Sequence, residues 1–480
     1  MNKSTNDRRA GGTAAGPGAD REVRPTLLRE LGIWAAIAIV VGTTIGSGIF
    51  LVPKTMVQDV GSPGMVFVVW IFGGILSLFG ALTYAELASA MPEAGGEYVY
   101  LSAAYSPFWG FVYGWAQMWV AKSASIATLA TGFFYYLANF RPELDRVIAT
   151  IPGKLGPNSG PLEIRSGQIL AMVVILLLAW LNYYGVKVGG NVQVTVTLIK
   201  VAAILAIVVV GLGSGAGHAV NYRAVLPGAP GGFAAFFSAL VAALWAYDGW
   251  NNVSMVSSEI RSPSRNLPIA LIGGILGIIV VYLLANAAYF FVLTPAEVAG
   301  SDRVAAEMMR HVLGAPGAAA VSLAAMISIF AALNGSILSG SRVPYAMARD
   351  GLFFRAVSFV HPAHHTPGVS ILAVSGWAAL LVLSGRYEQL YTLVIFASWI
   401  LYAMTAASVI VLRRKCPDLP RPYKVLGYPV VPFLFVLVAI VLLGSTFVKS
   451  PRESVLGLGL IVAGIPFYFH WKRRNRLSRQ

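Results

Sequence analysis

Charged side chains are scarce in this sequence. Only 11% of the 480 residues are Asp, Glu, Lys or Arg, whereas 57% are hydrophobic. A soluble protein of this length needs more charge to cover its surface, so the composition excludes an ordinary soluble domain. It indicates an all-α polytopic membrane protein.

Residues that bind metals or perform redox chemistry are also few. The single cysteine, Cys416, excludes a disulfide within the chain, and the six histidines fall in loops or near the ends of apolar runs. No glycine-rich loop ending in Gly-Lys-Ser or Gly-Lys-Thr is present, which argues against a nucleotide-driven pump. We expect no metal, no cofactor and no catalytic residue. A polytopic membrane enzyme is a remote alternative, because it would need a catalytic His, Cys or carboxylate cluster.

Long apolar runs, in contrast, recur along the whole chain. A run of about 20 residues allows a helix to cross about 30 Å of hydrocarbon. Twelve such runs lie near residues 32–53, 65–90, 107–138, 167–186, 191–212, 233–258, 269–293, 316–346, 368–384, 388–411, 429–447 and 454–471. They predict twelve transmembrane helices.

The net charge of +15 is unevenly distributed between the loops. With the N-terminus in the cytoplasm, about twice as many Lys and Arg fall on the cytoplasmic side as on the other. This predicts a multi-pass protein of the cell (inner) membrane with both termini cytoplasmic. The basic segment 472–476 is expected to lie against anionic membrane lipid. Nucleic acid is not an expected partner, because the basic residues sort by side of the membrane.

One stretch of the first run is unusual for a membrane helix. Gly46-Ser47-Gly48 lies in the middle of apolar sequence, and glycine costs about 1 kcal/mol relative to alanine inside a helix. We expect the helix to open here, which is tolerated where the backbone lines a cavity. Free N–H groups of the second half suit a carboxylate, and free C=O groups of the first half suit an ammonium. A zwitterionic amino acid carries both groups.

The sixth run has a second interruption, within residues 244–252. Interrupted helices five spans apart are typical of transporters with two inverted five-helix repeats, which hold the substrate where the broken helices meet. This predicts a first repeat over residues 31–212, a second over 233–411, and two extra spans over 429–471. Residues 1–30 are expected to form a disordered cytoplasmic tail, and residues 472–480 a basic cytoplasmic tail.

These stretches resemble the amino acid–polyamine–organocation (APC) superfamily, and most closely its L-type amino acid transporters. Residues 42–50 are similar to the first-span signature of that family, and residues 245–251 to its sixth-span signature. Shorter motifs recur in the same order, namely Asn334-Gly335-Ser336, Ser341-Arg342, Ala348-Arg349-Asp350-Gly351, His361-Pro362 and Arg421-Pro422-Tyr423-Lys424-Val425. The resemblance covers roughly residues 31–450. It implies a LeuT-type fold that exchanges amino acids, usually without sodium.

The resemblance and the backbone chemistry assign the same substrate site. The carboxylate is expected on the N–H groups of Gly46, Ser47 and Gly48. The ammonium is expected to face carbonyl groups of the two open segments, those of Thr44, Ile45, Trp245, Ala246 and Asp248. Trp245 matches the aromatic residue that closes over the substrate in the family, and Asn251 completes the predicted set. The alternatives are a helix-packing role for the glycines and an ordinary packing role for Trp245.

Lys200 lies about ten residues into the fifth run, or about 15 Å along a helix. A lysine at this depth is costly and usually faces a polar interior, and the position is too deep for easy snorkelling. The L-type family has lysine at the matching place. The resemblance implies that its ammonium replaces a coupling cation and ties span 5 to spans 1 and 8. We assign Lys200, Trp245, Ser336 and Ser339 to coupling and gating, and expect no sodium dependence.

Three other charged residues have two interpretations each. Asp248 stands where the family usually has glycine, and either caps the second half of span 6 or favours cationic substrates or proton coupling. Lys122 either pairs with a carboxylate such as Asp248 or lines a vestibule. Glu259 belongs either to a cytoplasmic gate with Arg261 and Arg265 or to a solvated helix end.

The sequence therefore predicts an amino acid transporter, specifically a sodium-independent exchanger of neutral L-amino acids by alternating access. A cationic amino acid or polyamine antiporter is the alternative. Animal L-type transporters are joined to a single-span glycoprotein through a cysteine in the loop after span 3. Residues 141–165 contain no cysteine, so no disulfide-linked glycoprotein subunit is expected, which fits a stand-alone bacterial-type member.

Overall fold

The computed structural model describes residues 27–138, 140–151, 162–383 and 387–477. Most of the described chain is helical. The α-helices are α1 (Ile33–Thr44), α2 (Gly48–Val60), α3 (Pro63–Ala90), α4 (Glu97–Ala104), α5 (Pro107–Ala116), α6 (Lys122–Leu137), α7 (Ser166–Tyr183), α8 (Val186–Gly213), α9 (Gly232–Tyr247), α10 (Asn252–Met255), α11 (Pro263–Val292), α12 (Pro295–Gly300), α13 (Val304–Gly340), α14 (Arg342–Arg349), α15 (Gly368–Leu381), α16 (Tyr387–Lys415), α17 (Val430–Lys449), α18 (Pro451–Val462) and α19 (Ile465–Leu477). Residues 1–26 and 478–480 of the two predicted tails lie outside the described residues.

Short irregular elements complete the described chain. A π-helical turn, Gln117–Ala121, joins α5 to α6. Turns of 3-10 helix cover Pro142–Asp145, Ala219–Arg223, Ser257–Glu259 and Arg355–Ser358. Strands β1 (Val147–Ile151) and β2 (Leu162–Arg165) pair antiparallel in the loop before α7. The all-α expectation did not include this hairpin, whose strands are too short to give a clear alternation in the sequence.

Each of the twelve apolar runs contains helical structure. Within the described residues, nine helices or adjoining helix pairs are long and apolar enough to cross a membrane. Two further apolar helices, α9 and α15, are shorter, and the third run is divided by the π-helical turn. The protein is therefore a multi-pass, mostly helical membrane protein, while the count of twelve spans stays a prediction.

The first run is interrupted where the glycines are. α1 ends at Thr44, and the next residue, Ile45, leaves the helical region with φ −73° and ψ 88°. α2 begins at Gly48. Apolar residues continue on both sides, so the glycines, rather than a polar segment, separate the two halves.

The sixth run is interrupted after α9. Residues 248–251 are non-helical, and the second half consists of the four-residue helix α10 and a 3-10 turn. Gly249 has φ +106°, a backbone conformation that favours glycine. A Cβ there would also lie 3.0 Å from the carbonyl oxygen of Thr43, so Gly249 allows the two open segments to approach each other.

Two other runs differ from the predicted boundaries. α13 begins twelve residues before the predicted start at 316, with a kink at Gly314, whose φ is +69°. The last run is divided between α18 and α19 at residues 463–464. Both differences arise at glycine, where a change of backbone direction costs little.

The interrupted helices lie at the centre of the helix packing. α1 packs against α8, α11 and α13, while α2 packs against α9. Large apolar side chains such as Val209, Leu323 and Ile440 are exposed, as expected of a surface that faces lipid. The fold thus places the interrupted segments of the first and sixth runs next to each other.

Candidate functional site

The two broken helices meet at a small cavity. A Cβ on Gly48 would lie 2.5 Å from the Cα of Ala246, and the Thr43 hydroxyl oxygen lies 2.8 Å from the Gly249 carbonyl oxygen. The lining comes from both broken helices, α6 and α13, and comprises Thr43, Thr44, Gly46, Ser47, Gly48, Ser125, Leu129, Trp245, Asp248, Gly249 and Ser336. Seven of the predicted site residues are therefore in one place.

The cavity is contracted. Its volume is about 10 Å³, which is close to the space of one water molecule. An amino acid is far larger, so binding requires the surrounding helices to move apart.

The N-terminal end of α2 has backbone geometry that suits an anion. α2 begins at Gly48, and the N–H groups of a first helical turn have no carbonyl partner in their own helix. Gly46, Ser47 and Gly48 all line the cavity. The N–H groups and the positive end of the α2 dipole suit a carboxylate.

The Thr44, Ile45 and Ala246 carbonyl groups already have donors within the protein. The Ile45 carbonyl accepts from Lys200 Nζ at 2.5 Å and from the Ser328 hydroxyl at 3.1 Å. The Tyr282 hydroxyl lies 3.1 Å from the Thr44 carbonyl and 2.7 Å from that of Ala246. This differs from the expectation that these carbonyls face a substrate ammonium. Both lone pairs of the Ile45 carbonyl are in use, because Lys200 and Ser328 donate to it.

Lys200 is the cation at the centre of the fold. Its side chain is 1% exposed, and Nζ donates to the carbonyls of Gly42 at 2.6 Å, Ile45 at 2.5 Å and Ser328 at 3.3 Å. These contacts join α8 to the end of α1 and to α13, which are the elements that the sequence analysis linked. A buried ammonium with three carbonyl acceptors satisfies all of its N–H donors.

Trp245 closes one side of the cavity. Its indole N–H donates to the Tyr387 hydroxyl at 2.8 Å, and that hydroxyl lies 2.7 Å from the Ser47 hydroxyl. Tyr391 stacks on the indole at a centroid distance of 6.0 Å. Sequence reasoning missed Tyr387 and Tyr391, although their spacing of four residues at the start of the tenth run places both on one helix face.

Asp248 and Asn251 continue the polar lining away from the cavity. Tyr402 donates to Asp248 Oδ1 at 2.8 Å and lies 3.2 Å from Asn251 Oδ1. Asn251 Nδ2 donates to Glu97 Oε1 at 2.5 Å. Asp248 precedes α10 by several residues, and Asn251 occupies its N-cap without a side-chain cap bond, so Asp248 does not cap α10 and instead lines the cavity.

Lys122 lies in the same polar region. Its ammonium donates to Asn252 Oδ1 at 2.5 Å, while the charges of Asp248 and Glu97 act on it from nearby. The structure thus gives Lys122 a direct amide partner and places Asp248 close to it, in line with a structural pairing rather than an open vestibule. Glu97 was missed from sequence because it lies outside the apolar runs.

The two serines assigned to gating are placed differently. Ser336 lines the cavity. The Ser339 hydroxyl donates to the Gly335 carbonyl in its own helix at 2.8 Å and is not among the lining residues. Ser339 therefore has no direct contact with the cavity in this conformation.

Ion pairs link neighbouring elements near both ends of the first broken helix. Near the start of α1, Arg342 binds both carboxylate oxygens of Glu259 at 2.7 and 3.0 Å, and both side chains are fully buried. The interpretation of Glu259 as a solvated helix end is therefore wrong, because α14 covers it. Near the end of α2, Lys54 binds Asp302 at 2.5 Å, and Lys449 binds Asp59 at 3.1 Å.

Among the described residues, no group of three or more His, Cys, Asp or Glu side chains is arranged to hold a metal ion. A multi-pass helical protein with two interrupted helices around a central polar cavity has the architecture of a membrane transporter. Residues 31–469 match the family described as amino acid permease, and the chain belongs to that family. It is a transporter and not an enzyme.

Proteins similar to this chain share most of its length. The serine/threonine exchanger SteT of Bacillus subtilis (strain 168) is 33% identical over 94% of this chain and 98% of its own. The b(0,+)-type amino acid transporter 1 of Mus musculus is 32% identical, over 92% and 88% of the two chains. The cystine/glutamate transporter of Homo sapiens is 28% identical, over 94% and 88%.

Proposed function

We propose that this protein is a sodium-independent exchanger of neutral L-amino acids that works by alternating access in the cell (inner) membrane. The observation that carries the proposal is that free backbone N–H groups and a buried lysine ammonium lie together at the break in the first span. The N–H groups of residues 46–48 suit the substrate carboxylate, while Lys200 supplies a fixed positive charge on the carbonyls that end α1. A fixed ammonium makes a sodium ion unnecessary at that place.

The proposed architecture has twelve spans in a LeuT-type arrangement. The first repeat is residues 31–212 and the second 233–411, followed by two spans over 429–471 and the basic tail 472–480. The interruptions fall in the first span of each repeat, and the Lys and Arg distribution supports cytoplasmic termini. The chain has no cysteine in residues 141–165, so the proposal includes no disulfide-linked glycoprotein subunit; its partners are its substrates and membrane lipid.

Alternating access requires the ion pairs on the two sides of the cavity to separate in turn. The Lys54–Asp302 pair is exposed, with 85% of the Asp302 side chain accessible, and such pairs contribute about 0–1 kcal/mol. The buried Glu259–Arg342 pair is harder to separate, because removing one buried partner costs about 3–5 kcal/mol. We propose that the side at the end of α2 opens more readily than the side where α1 begins.

Uptake into proteoliposomes tests the proposal. Labelled alanine, serine, leucine, arginine and putrescine are supplied without sodium, with and without unlabelled amino acid inside. We expect uptake of neutral amino acids that rises strongly with internal substrate. Uptake without dependence on internal substrate would contradict exchange, and a strict sodium requirement would contradict the assigned role of Lys200.

A cationic substrate is the second candidate, favoured by Asp248 in the cavity lining. A hydrogen bond to a charged group is worth about 1.5–3 kcal/mol, or about 10–100-fold in affinity. If the substrate is cationic, D248N lowers arginine or putrescine uptake by about that factor, since asparagine keeps the Tyr402 acceptor and removes the charge. Unchanged arginine uptake in D248N would contradict this second candidate.

A further inference from the structure

We propose that Glu97 is a proton-binding site, and that its proton is released when the fold opens on the side where α1 begins. The protonation itself is independent of the proposed function. Its consequence for exchange rests on that function.

Glu97 is attached to the part of the protein that must move. It is the first residue of α4, outside the membrane-spanning helices, and is fully buried. Its Oε1 accepts from Asn251 Nδ2 at 2.5 Å, and Asn251 lies in the open segment between α9 and α10. The nearby Gly95 N–H also donates to the Met255 carbonyl at 3.0 Å. Opening of the second broken helix therefore changes the surroundings of Glu97.

The contact between Glu97 and Ser254 leaves room for a proton on the carboxyl group. Ser254 Oγ lies 3.2 Å from Glu97 Oε2 but 2.6 Å from the Asn251 carbonyl oxygen. A serine hydroxyl has one proton, and the shorter contact takes it. A protonated Glu97 fits this geometry, because its own O–H can donate to Ser254 Oγ.

The charges of the cluster lead to the same assignment. Lys122 is the cation that acts on both Glu97 and Asp248. With both carboxyls ionised, the buried cluster would carry a net negative charge, which is costly in a low-dielectric interior. One proton makes it neutral. Asp248 lines the cavity and is partly exposed, whereas Glu97 is fully buried, so Glu97 is the better place for that proton.

In the described part of the chain, the other groups that act on Glu97 are tyrosines and one acid. Its charge acts on tyrosines from four helices, Tyr84 of α3, Tyr100 of α4, Tyr113 of α5 and Tyr402 of α16. Glu93, exposed in the preceding turn, adds a negative charge near Tyr100. Burial raises the pKa of Glu97, so the protonated form persists above the usual range of a glutamate and is lost as pH rises.

Opening of the fold on the side where α1 begins would expose Glu97 to water and return its pKa toward the usual value of a glutamate. Proton release then accompanies opening, and a low pH on this side holds the closed form. Because one proton is involved, the opening equilibrium changes by up to about ten-fold per pH unit. The proton on Glu97 thus regulates opening and is not part of the substrate site.

Infrared difference spectroscopy of the full-length protein tests the protonation directly. Titration from acid to neutral pH should show a carbonyl band of a buried protonated carboxyl group, absent in E97Q and present in E93Q, the matched exposed neighbour. In E97D, the band should move in frequency, which covers the case that E97Q does not fold. An identical band in wild type, E97Q and E97D would overturn the proposal.

Exchange in proteoliposomes tests the consequence. With pH varied only on the side where α1 begins, wild type and E93Q should slow as pH falls, by up to about ten-fold per pH unit. E97Q should show no such dependence. A pH profile of E97Q equal to that of wild type would overturn the regulatory role. Should no amino acid be exchanged at all, the proposed function would fail, while the infrared band would still decide the protonation of Glu97.

Discussion

Replacing Lys200 by methionine is expected to lower exchange by about 100-fold or more. The variant K200M keeps the length of the side chain and removes the ammonium that binds the carbonyls of Gly42, Ile45 and Ser328. Each buried acceptor left without a donor costs about 1–3 kcal/mol, and two such losses correspond to about a 100-fold change or more. Initial exchange rates, normalised to folded protein by gel filtration, measure the effect.

Ser328→Ala is the matched control for this prediction. It removes a neutral donor from the same Ile45 carbonyl and leaves the ammonium in place. A typical neutral hydrogen bond contributes about 0.5–1.5 kcal/mol, so a loss of no more than about ten-fold is expected. Exchange by K200M at a rate close to that of S328A would contradict a special role for the positive charge.

Gly48→Ala is expected to have the second large effect. The new methyl group would lie 2.5 Å from both the Cα and the Cβ of Ala246, and a backbone atom cannot move aside as the end of a flexible side chain can. Overpacking of this kind costs about 1–3 kcal/mol and pushes the two broken helices apart at the cavity. We expect lower thermal stability together with loss of exchange.

Gly64→Ala controls for the general cost of replacing a glycine in a membrane helix. Gly64 lies in the first turn of α3, and a Cβ there has no heavy atom within 4 Å. Alanine is favoured over glycine in helices by about 1 kcal/mol, so this variant should be at least as stable as wild type and fully active. Comparable losses in G48A and G64A would show that close contact of the broken helices is not required.

Much of the site could be predicted because it depends on local backbone chemistry. Gly46-Ser47-Gly48 lies at the interruption of the first run, and Gly249, with a positive φ, at that of the sixth. Lys200 was identified from depth alone, since a lysine in mid-membrane needs polar partners. The family resemblance also implied which spans Lys200 joins, spans 1 and 8, and the described contacts agree with it.

Other parts of the site depend on contacts between distant residues. Tyr387 is 340 residues from Ser47, and Arg342 is 83 residues from Glu259. The sequence offered Arg261 and Arg265 as neighbours of Glu259, but the helix geometry directs its carboxylate to α14. Glu97 lies in a polar segment whose sequence is typical of an exposed loop. In the structure it is buried, because α4 contacts α10.

The sequence alone determined that this is a multi-pass membrane protein with two interrupted helices and one deeply placed lysine. Those properties follow from composition, from the length of apolar runs and from the helix-breaking tendency of glycine, which are local. Only the tertiary structure decided which carbonyls Lys200 binds, that the cavity is contracted, and that Glu97 joins Lys122 and Asp248 in one buried cluster. These features depend on which helix faces meet, and apolar side chains on all sides of a membrane helix leave that choice open in the sequence.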